Sequence, residues 1–128
     1  MKNKFKNDWF VKSNHDLTAA EILLKADHFP DTICFLSHQA IEKQLKGFLV
    51  LSKVAPPKTH NLEELIKLCV DINKNFLDFI DECGKITAYY IESRYPVSFS
   101  QNIKRKDAKE AFETAKELFK FIENILNK

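Results

Sequence analysis

The chain has 128 residues, of which 45% are hydrophobic and 30% are charged, and its formal net charge is +2. This length suits one domain over residues 1–128 with a single core. The net charge is far from the strongly basic balance of a dedicated DNA-binding domain, so any contact with nucleic acid must come from a local patch. No apolar run approaches the roughly 20 residues that a membrane span needs, and none follows the basic N-terminus as in a secretory signal, so we expect a cytoplasmic protein without membrane contact.

Five helices are predicted, because apolar residues recur at helical spacing and the chain has only two glycines and four prolines. Asp31 is positioned to cap the second helix, and Asn61 with Glu64 has the form of a capping box for the third. In chain order the predicted helices run from Phe5 to Ala26, from Asp31 to about Lys53, from Asn61 to about Asn73, from Phe76 to just before Pro96, and from Lys106 to the C-terminus.

Long helices with short connections pack as antiparallel neighbours, so the predicted fold is an all-α, up-and-down helical bundle. Eleven phenylalanines are many for this length. Either all of them pack in the core, or some of Phe29, Phe35, Phe48 and Phe99 form a surface between subunits.

Polar residues concentrate on one side of the second helix. Gln39, Lys43 and Lys46 share a face, with Glu42 adjacent. This face either binds an anion or is a solvated surface held by a weak Glu42–Lys46 ion pair at i,i+4 spacing.

Two further groups of cations stand at helix ends. Arg94 precedes a rigid proline and adjoins Tyr95, a pair suited to binding phosphate as a fork and stacking on a base, although the helix dipole alone also favours a cation there. Lys104-Arg105-Lys106, with Lys109, opposes the dipole of the last helix, which indicates an anionic partner unless the patch is simply solvated.

A metal centre is not predicted. Cys34 and His38 lie one helical turn apart with His15 and His60 as remote candidates, but no second short-spaced pair exists. The three cysteines lie in apolar stripes and are expected to be reduced core residues, not nucleophiles. No glycine-rich phosphate loop is present, and no cofactor is expected.

Four motifs together resemble the HEPN family (higher eukaryotes and prokaryotes nucleotide-binding domain). They are His15-Asp16-Leu17-x-x-Ala20, His38-Gln39-Ala40-Ile41-Glu42-Lys43-x-x-Lys46, Thr59-His60-Asn61-Leu62-x-x-Leu65 and Arg94-Tyr95-Pro96, and they span nearly the whole chain. The resemblance implies a helical bundle that dimerises through the faces carrying these polar residues, often encoded beside a small nucleotidyltransferase. It also implies a nucleotide- or phosphate-binding set of Arg94, Tyr95, Lys43, Lys46, His60, His38, Gln39 and Glu42.

Ribonucleases of toxin–antitoxin and defence systems in this family pair an arginine with a histidine a few residues later. Here the corresponding positions after Arg94 hold Phe99, Ser100 and Gln101, which cannot replace histidine as a general acid or base. The sequence therefore favours a homodimeric, non-catalytic module that binds a nucleotide or RNA phosphate and works with a partner such as a minimal nucleotidyltransferase. The alternatives are a metal-independent ribonuclease with His38 or His60 as its base, and a purely structural dimerisation module.

Overall fold

A computed structural model describes residues 7–94 and 103–128 of the chain. Within them lie five α-helices and one 3-10 helix, without any strand. They are α1 (Asp8–Ala26), α2 (Pro30–Leu51), α3 (Leu62–Val70), the 3-10 helix (Lys74–Phe79), α4 (Ile80–Ser93) and α5 (Arg105–Leu126). The predicted all-α bundle is confirmed.

Helix α2 is the centre of the bundle, since it packs against α1, α3, α4 and α5. Its buried apolar residues form the core with α3, α4 and α5. Because neighbours surround α2, polar residues on its helical turns are buried as well.

Contacts between helices define two ends of the bundle. At the upper end, Asp27 after α1 pairs with Arg105 at the start of α5, and Tyr89 of α4 donates a hydrogen bond to Asp107. At the lower end, Phe76 of the 3-10 helix packs against Phe48 of α2, with ring centroids 4.8 Å apart. Thus α1 and α4 run upward, whereas α2 and α5 run downward.

Three predicted helix starts are wrong. The first helix begins at Asp8, because Asn7 is its N-cap and has an extended backbone, and not at about Phe5. Asp31 does not cap α2, because Pro30 is the first helical residue and Phe29 occupies the N-cap, which places Asp31 inside the first turn. The fourth helix does not begin at Phe76, because that residue lies in the separate 3-10 helix before Ile80. Asn61 does cap α3 through its side chain, as predicted.

The surplus phenylalanines have different roles. Phe48 is buried in the core, so its assignment to a subunit surface is wrong, whereas Phe29 is 60% exposed. Phe35 is half-buried beside Tyr90, and Phe99 lies outside the described residues.

Candidate functional site

Three polar residues of α2 follow one another at i,i+4 spacing on a single face: His38, Glu42 and Lys46. Their exposed fractions are only 0%, 4% and 6%, so this face is not the solvated surface considered from the sequence. Their i,i+4 spacing puts these three residues on one face of α2. Their burial, in contrast, results from the neighbouring parts of the chain that cover that face. A buried charge is costly unless it is paired, so the partners of these groups define the site.

Glu42 joins the buried charges of the site. Its Oε2 accepts a hydrogen bond from Lys46 Nζ at 3.0 Å, and its Oε1 accepts one from His60 Nδ1 at 2.9 Å. The Lys46 ammonium also lies 5.3 Å from the ring centroid of Trp9, which covers it from α1. The carboxylate is therefore held on both oxygens.

His38 anchors the loop that carries His60. Its Nε2 lies 2.8 Å from the backbone oxygen of His60, and because a carbonyl can only accept, Nε2 carries the proton. Burial lowers the pKa of His38 below its ordinary value of 6.5, although Glu42 opposes that shift. A neutral His38 then accepts at Nδ1, where the Gln39 side-chain amide lies 3.4 Å away and can donate with its NH2 group turned to the ring.

His60 combines a fixed orientation with access to solvent. Its side chain is 63% exposed, although Glu42 binds its Nδ1. Since a carboxylate accepts, Nδ1 is the protonated nitrogen, and within the described residues Nε2 has no hydrogen-bonding partner. Thr59 supports the loop by accepting from the Asn61 backbone N–H and donating to Glu64. The imidazole thus presents Nε2 to solvent in a fixed orientation.

Tyr90 of α4 connects His38 to Arg94. The rings of His38 and Tyr90 are stacked with centroids 3.9 Å apart, and the Arg94 guanidinium lies 5.4 Å from the Tyr90 ring centroid. Arg94 Nη1 also lies 3.5 Å from the Tyr90 hydroxyl. Tyr90 is only 7% exposed, so its ring serves the contacts with His38 and Arg94 and not a base.

We call His38, Glu42, Lys46, His60, Tyr90 and Arg94 the Glu42 cluster. The cluster holds one carboxylate against two permanent cations, so a net positive charge remains when both histidines are neutral. Lys46 is paired with Glu42, whereas Arg94 is exposed and has no carboxylate partner among the side chains that the structure describes. Arg94 is therefore the cation of the cluster that is available to an anion.

Not every predicted site residue joins the cluster. Lys43 turns to α1 and pairs with Asp16 at 2.6 Å, which ties the first two family motifs together. Its charge is thus neutralised away from Arg94. Tyr95 lies outside the described residues. Gln39 lies at the edge of the cluster, next to His38.

Two contacts of this arrangement were not predicted from the sequence. Tyr90 and Arg94 stand at i,i+4 spacing, which could have indicated their contact. The covering of Lys46 by Trp9 is a contact between helices, and no local spacing signals it.

The cysteines take no part in the cluster, and no metal site is formed by the metal candidates in the described part of the chain. All three cysteines are buried free thiols, as predicted, and burial raises the pKa of Cys69 and of Cys83 to about 12, which keeps both thiols protonated. In the part of the chain that the structure describes, no three His, Cys, Asp or Glu side chains are close enough together to hold a metal ion.

Comparisons with known proteins agree with the fold and the motifs. The family profile of the HEPN domain matches residues 7–125. A protein of Methanocaldococcus jannaschii named "Putative toxin MJ1304" is 25% identical over 129 residues, which cover 96% of this chain and 84% of that protein. The crystal structure of TT1696 from Thermus thermophilus superposes with a TM-score of 0.76 at 26% identity, covering 91% of this chain and 94% of the other.

The chain belongs to the HEPN domain family, as the resemblance of its four motifs implied. Among its described helices, none has both the length and the hydrophobicity required to cross a membrane.

Proposed function

We propose that this protein is a toxin-type HEPN module that binds the phosphate of a nucleotide or RNA at Arg94 and acts together with a protein partner. The observation that carries the proposal is the exposed Arg94 guanidinium, held over Tyr90 beside the oriented His60. A relative named as a toxin supports the general role, because toxins of this kind work with a neutralising partner.

The geometry explains why Arg94, and not a lysine, is the proposed ligand for phosphate. Lys43 and Lys46 each have a carboxylate within 3.0 Å, so an incoming anion must compete with Asp16 or Glu42 for them. Arg94 has a planar fork of donors that fits two phosphate oxygens, and contact with Tyr90 fixes its position. Each such charge-assisted hydrogen bond is worth roughly 1.5–3 kcal/mol.

Binding of a nucleoside monophosphate and of a short RNA to Arg94 variants tests the proposal. Arg94→Ala should weaken both affinities at least about tenfold, the effect of one lost interaction of 1.4 kcal/mol, with an unchanged helical circular dichroism signal. Arg94→Lys should recover only part of the loss because the fork is absent. The matched control is Lys85→Ala, which removes an exposed cation from the same helix and should bind as the parent does.

If Arg94→Ala binds as well as the parent but unfolds more easily, Arg94 is a structural cation and the proposal fails. In that case the purely structural dimerisation module is the better description.

The orientation of His60 favours a second candidate, a metal-independent ribonuclease. Glu42 holds the tautomer in which Nε2 can take the proton from an RNA 2′-hydroxyl. The 2′-oxygen would attack phosphorus, the 5′-oxygen would leave and take a proton from water, and Arg94 would stabilise the negative phosphorane, giving a 2′,3′-cyclic phosphate. This would place the histidine in the loop before α3, and not a few residues after the arginine as in the family's ribonucleases.

A cleavage assay in the presence of a chelator separates the two candidates. The binding module predicts no efficient cleavage by the purified protein. Cleavage that is lost in His60→Ala and in His60→Gln, while both variants still bind RNA, would establish the ribonuclease.

The partner is the third part of the proposal. A minimal nucleotidyltransferase fits, because the family resemblance implies one encoded nearby. Co-expression with the product of the adjacent gene, followed by affinity purification, should yield a complex, and recovery of this chain alone would contradict this part.

A further inference from the structure

Phe29 is an exposed aromatic residue that stabilises neither the core nor a helix end. Its side chain is at the corner between α1 and α2, and the residue is 60% exposed. At the N-cap of α2 its side chain makes no capping hydrogen bond. Its nearest aromatic neighbour is the exposed ring of His28, with centroids 5.4 Å apart. Neither burial nor capping accounts for a phenylalanine at this position.

The backbone at Phe29 is also unfavourable for a bulky residue. Its φ of 53° and ψ of 68° lie in the left-handed region, which costs an L-residue free energy that glycine does not lose. Large apolar side chains that are exposed are common singly. One that is exposed, aromatic and held in a strained conformation is better explained by what it contacts outside the molecule.

The start of α5, which carries three consecutive cations, lies beside this corner. Asp27 pairs through Oδ1 with Arg105 Nε at 2.7 Å, which fixes the start of α5 beside the α1–α2 corner. Lys104 and Lys106 flank Arg105 and are exposed. The nearby Asp107 accepts from the Lys104 backbone N–H and from the Tyr89 hydroxyl, so its oxygens are already engaged. The two lysine ammonium groups have no carboxylate partner within the described residues.

We infer that the upper end of the bundle binds single-stranded RNA, with Phe29 stacking on a base and Lys104 and Lys106 contacting phosphates. The inference rests on the proposed function, because the same end carries Arg94, and it extends the ligand from one phosphate to a strand. Aromatic faces interleaved with cations bind single strands without sequence preference. A protein partner fits less well, since lysine is depleted in protein interfaces.

The substitution Phe29→Gly gives a sharp test, because it separates stability from binding. Glycine tolerates the left-handed backbone and is an acceptable N-cap, so the thermal unfolding midpoint should rise or stay constant. Affinity for a labelled single-stranded RNA of about 12 nucleotides, within the roughly 4–16-nucleotide sites of small binding domains, should fall about 5- to 150-fold, the value of one base stacked on an aromatic ring. Leu77→Ala, which truncates a 54% exposed apolar side chain at the lower end, is the matched control and should bind normally.

The lysines are tested by salt dependence. The double variant Lys104→Gln/Lys106→Gln should reduce the slope of log affinity against log salt by about 1.4, since each of two phosphate contacts on a single strand contributes about 0.7. Lys116→Gln/Lys120→Gln, farther along the same helix, should leave the slope unchanged.

Two results would overturn the inference. One is an RNA affinity that does not change in Phe29→Gly. The other is that the parent binds polyglutamate more tightly than RNA and that this binding requires Phe29. Binding of a nucleoside monophosphate distinguishes this failure from failure of the proposed function. Binding of that smaller ligand should require Arg94 and not Phe29. If only Arg94→Ala leaves the affinity unchanged, the proposed function is refuted. If only Phe29→Gly leaves the RNA affinity unchanged, the extended surface is refuted.

Discussion

At the scale of single residues, Glu42 determines whether the buried charges of α2 are tolerated. Its two oxygens bind Lys46 and His60, and Lys46 is otherwise enclosed by Trp9 and the core. The i,i+4 spacing of Glu42 and Lys46 was evident in the sequence, but a surface pair and a buried pair have the same spacing. Their energetic weight differs because removing one member of a buried pair leaves an uncompensated charge.

We predict that Glu42→Gln destabilises the protein by about 3 kcal/mol, the lower end of the range for breaking a buried ion pair, because the glutamine oxygen still accepts one hydrogen bond. Urea unfolding measures the change. Glu64→Gln is the control: Glu64 is exposed and bound only by Thr59, so its loss should stay within about 0.5 kcal/mol. Equal destabilisation by both variants would show that the Glu42 pair has no special weight.

His38 predicts a pH dependence of stability. Because burial lowers its pKa in the folded state, the unfolded chain binds more protons below the ordinary value of 6.5. The contribution of His38 to the free energy of unfolding should therefore be fully present above pH 6.5. It should be lost as the pH falls through the folded-state pKa.

The variant His38→Gln isolates this term, since its amide can still donate to the His60 carbonyl but does not titrate. Urea unfolding between pH 5 and 7.5 should give a steeper loss toward low pH for the parent than for His38→Gln. Parallel curves would mean that His38 takes up its proton equally in both states.

At the scale of helices, the two glycines illustrate opposite packing situations. A Cβ at Gly47 would lie 3.1 Å from Phe10 Cζ, and Phe10 is fully buried and cannot yield. A Cβ at Gly84 would lie 3.3 Å from Glu63 Oε1, the end of an exposed, flexible side chain. Gly84 is therefore a weak point of α4 and not a site of close packing.

We predict that Gly84→Ala stabilises the protein by up to about 1 kcal/mol, the helix propensity gain of alanine over glycine. Gly47→Ala should destabilise it, because overpacking against Phe10 costs about 1–3 kcal/mol and exceeds the same gain. Thermal unfolding of the two variants side by side tests the pair. Stabilisation by both would mean that Phe10 can move aside.

The helices themselves were largely predictable, whereas their starts were less so. The last helix follows its apolar period closely and begins within one residue of the prediction, at Arg105. The start of α2 was misassigned because Asp31 is a good capping residue and Phe29 is a poor one. Tertiary packing at the α1–α2 corner therefore determines where α2 starts, and it overrides the local capping preference of Asp31.

At the scale of the whole molecule, the fold followed from periodicity and the site did not. Five amphipathic segments with short links can bury their stripes only as a bundle. The cluster instead depends on the loop before α3 returning to the middle of α2, where His60 meets His38 and Glu42. The motifs indicated that these residues matter, but only the three-dimensional packing shows which of them meet.

The face around Arg94 leads to the prediction of a homodimer. Ile91 is 52% exposed one turn before Arg94, and its neighbour Tyr90 lies against the 63% exposed His60 side chain. The family resemblance implies association through this polar face, and burying one isoleucine on each side would contribute roughly 1.5–3 kcal/mol apiece. We therefore expect a dimer at micromolar concentration by light scattering.

Substitution of Ile91 by glutamate should convert that dimer into a monomer, because two like charges would face each other across the two-fold axis and lose water without gaining a partner. The helical circular dichroism signal should not change, since Ile91 does not belong to the core. Leu77→Glu introduces the same charge at a similarly exposed residue of the lower end and should remain dimeric. A parent protein that is monomeric under these conditions, or a dimer disrupted by Leu77→Glu and not by Ile91→Glu, would contradict association through the Arg94 face.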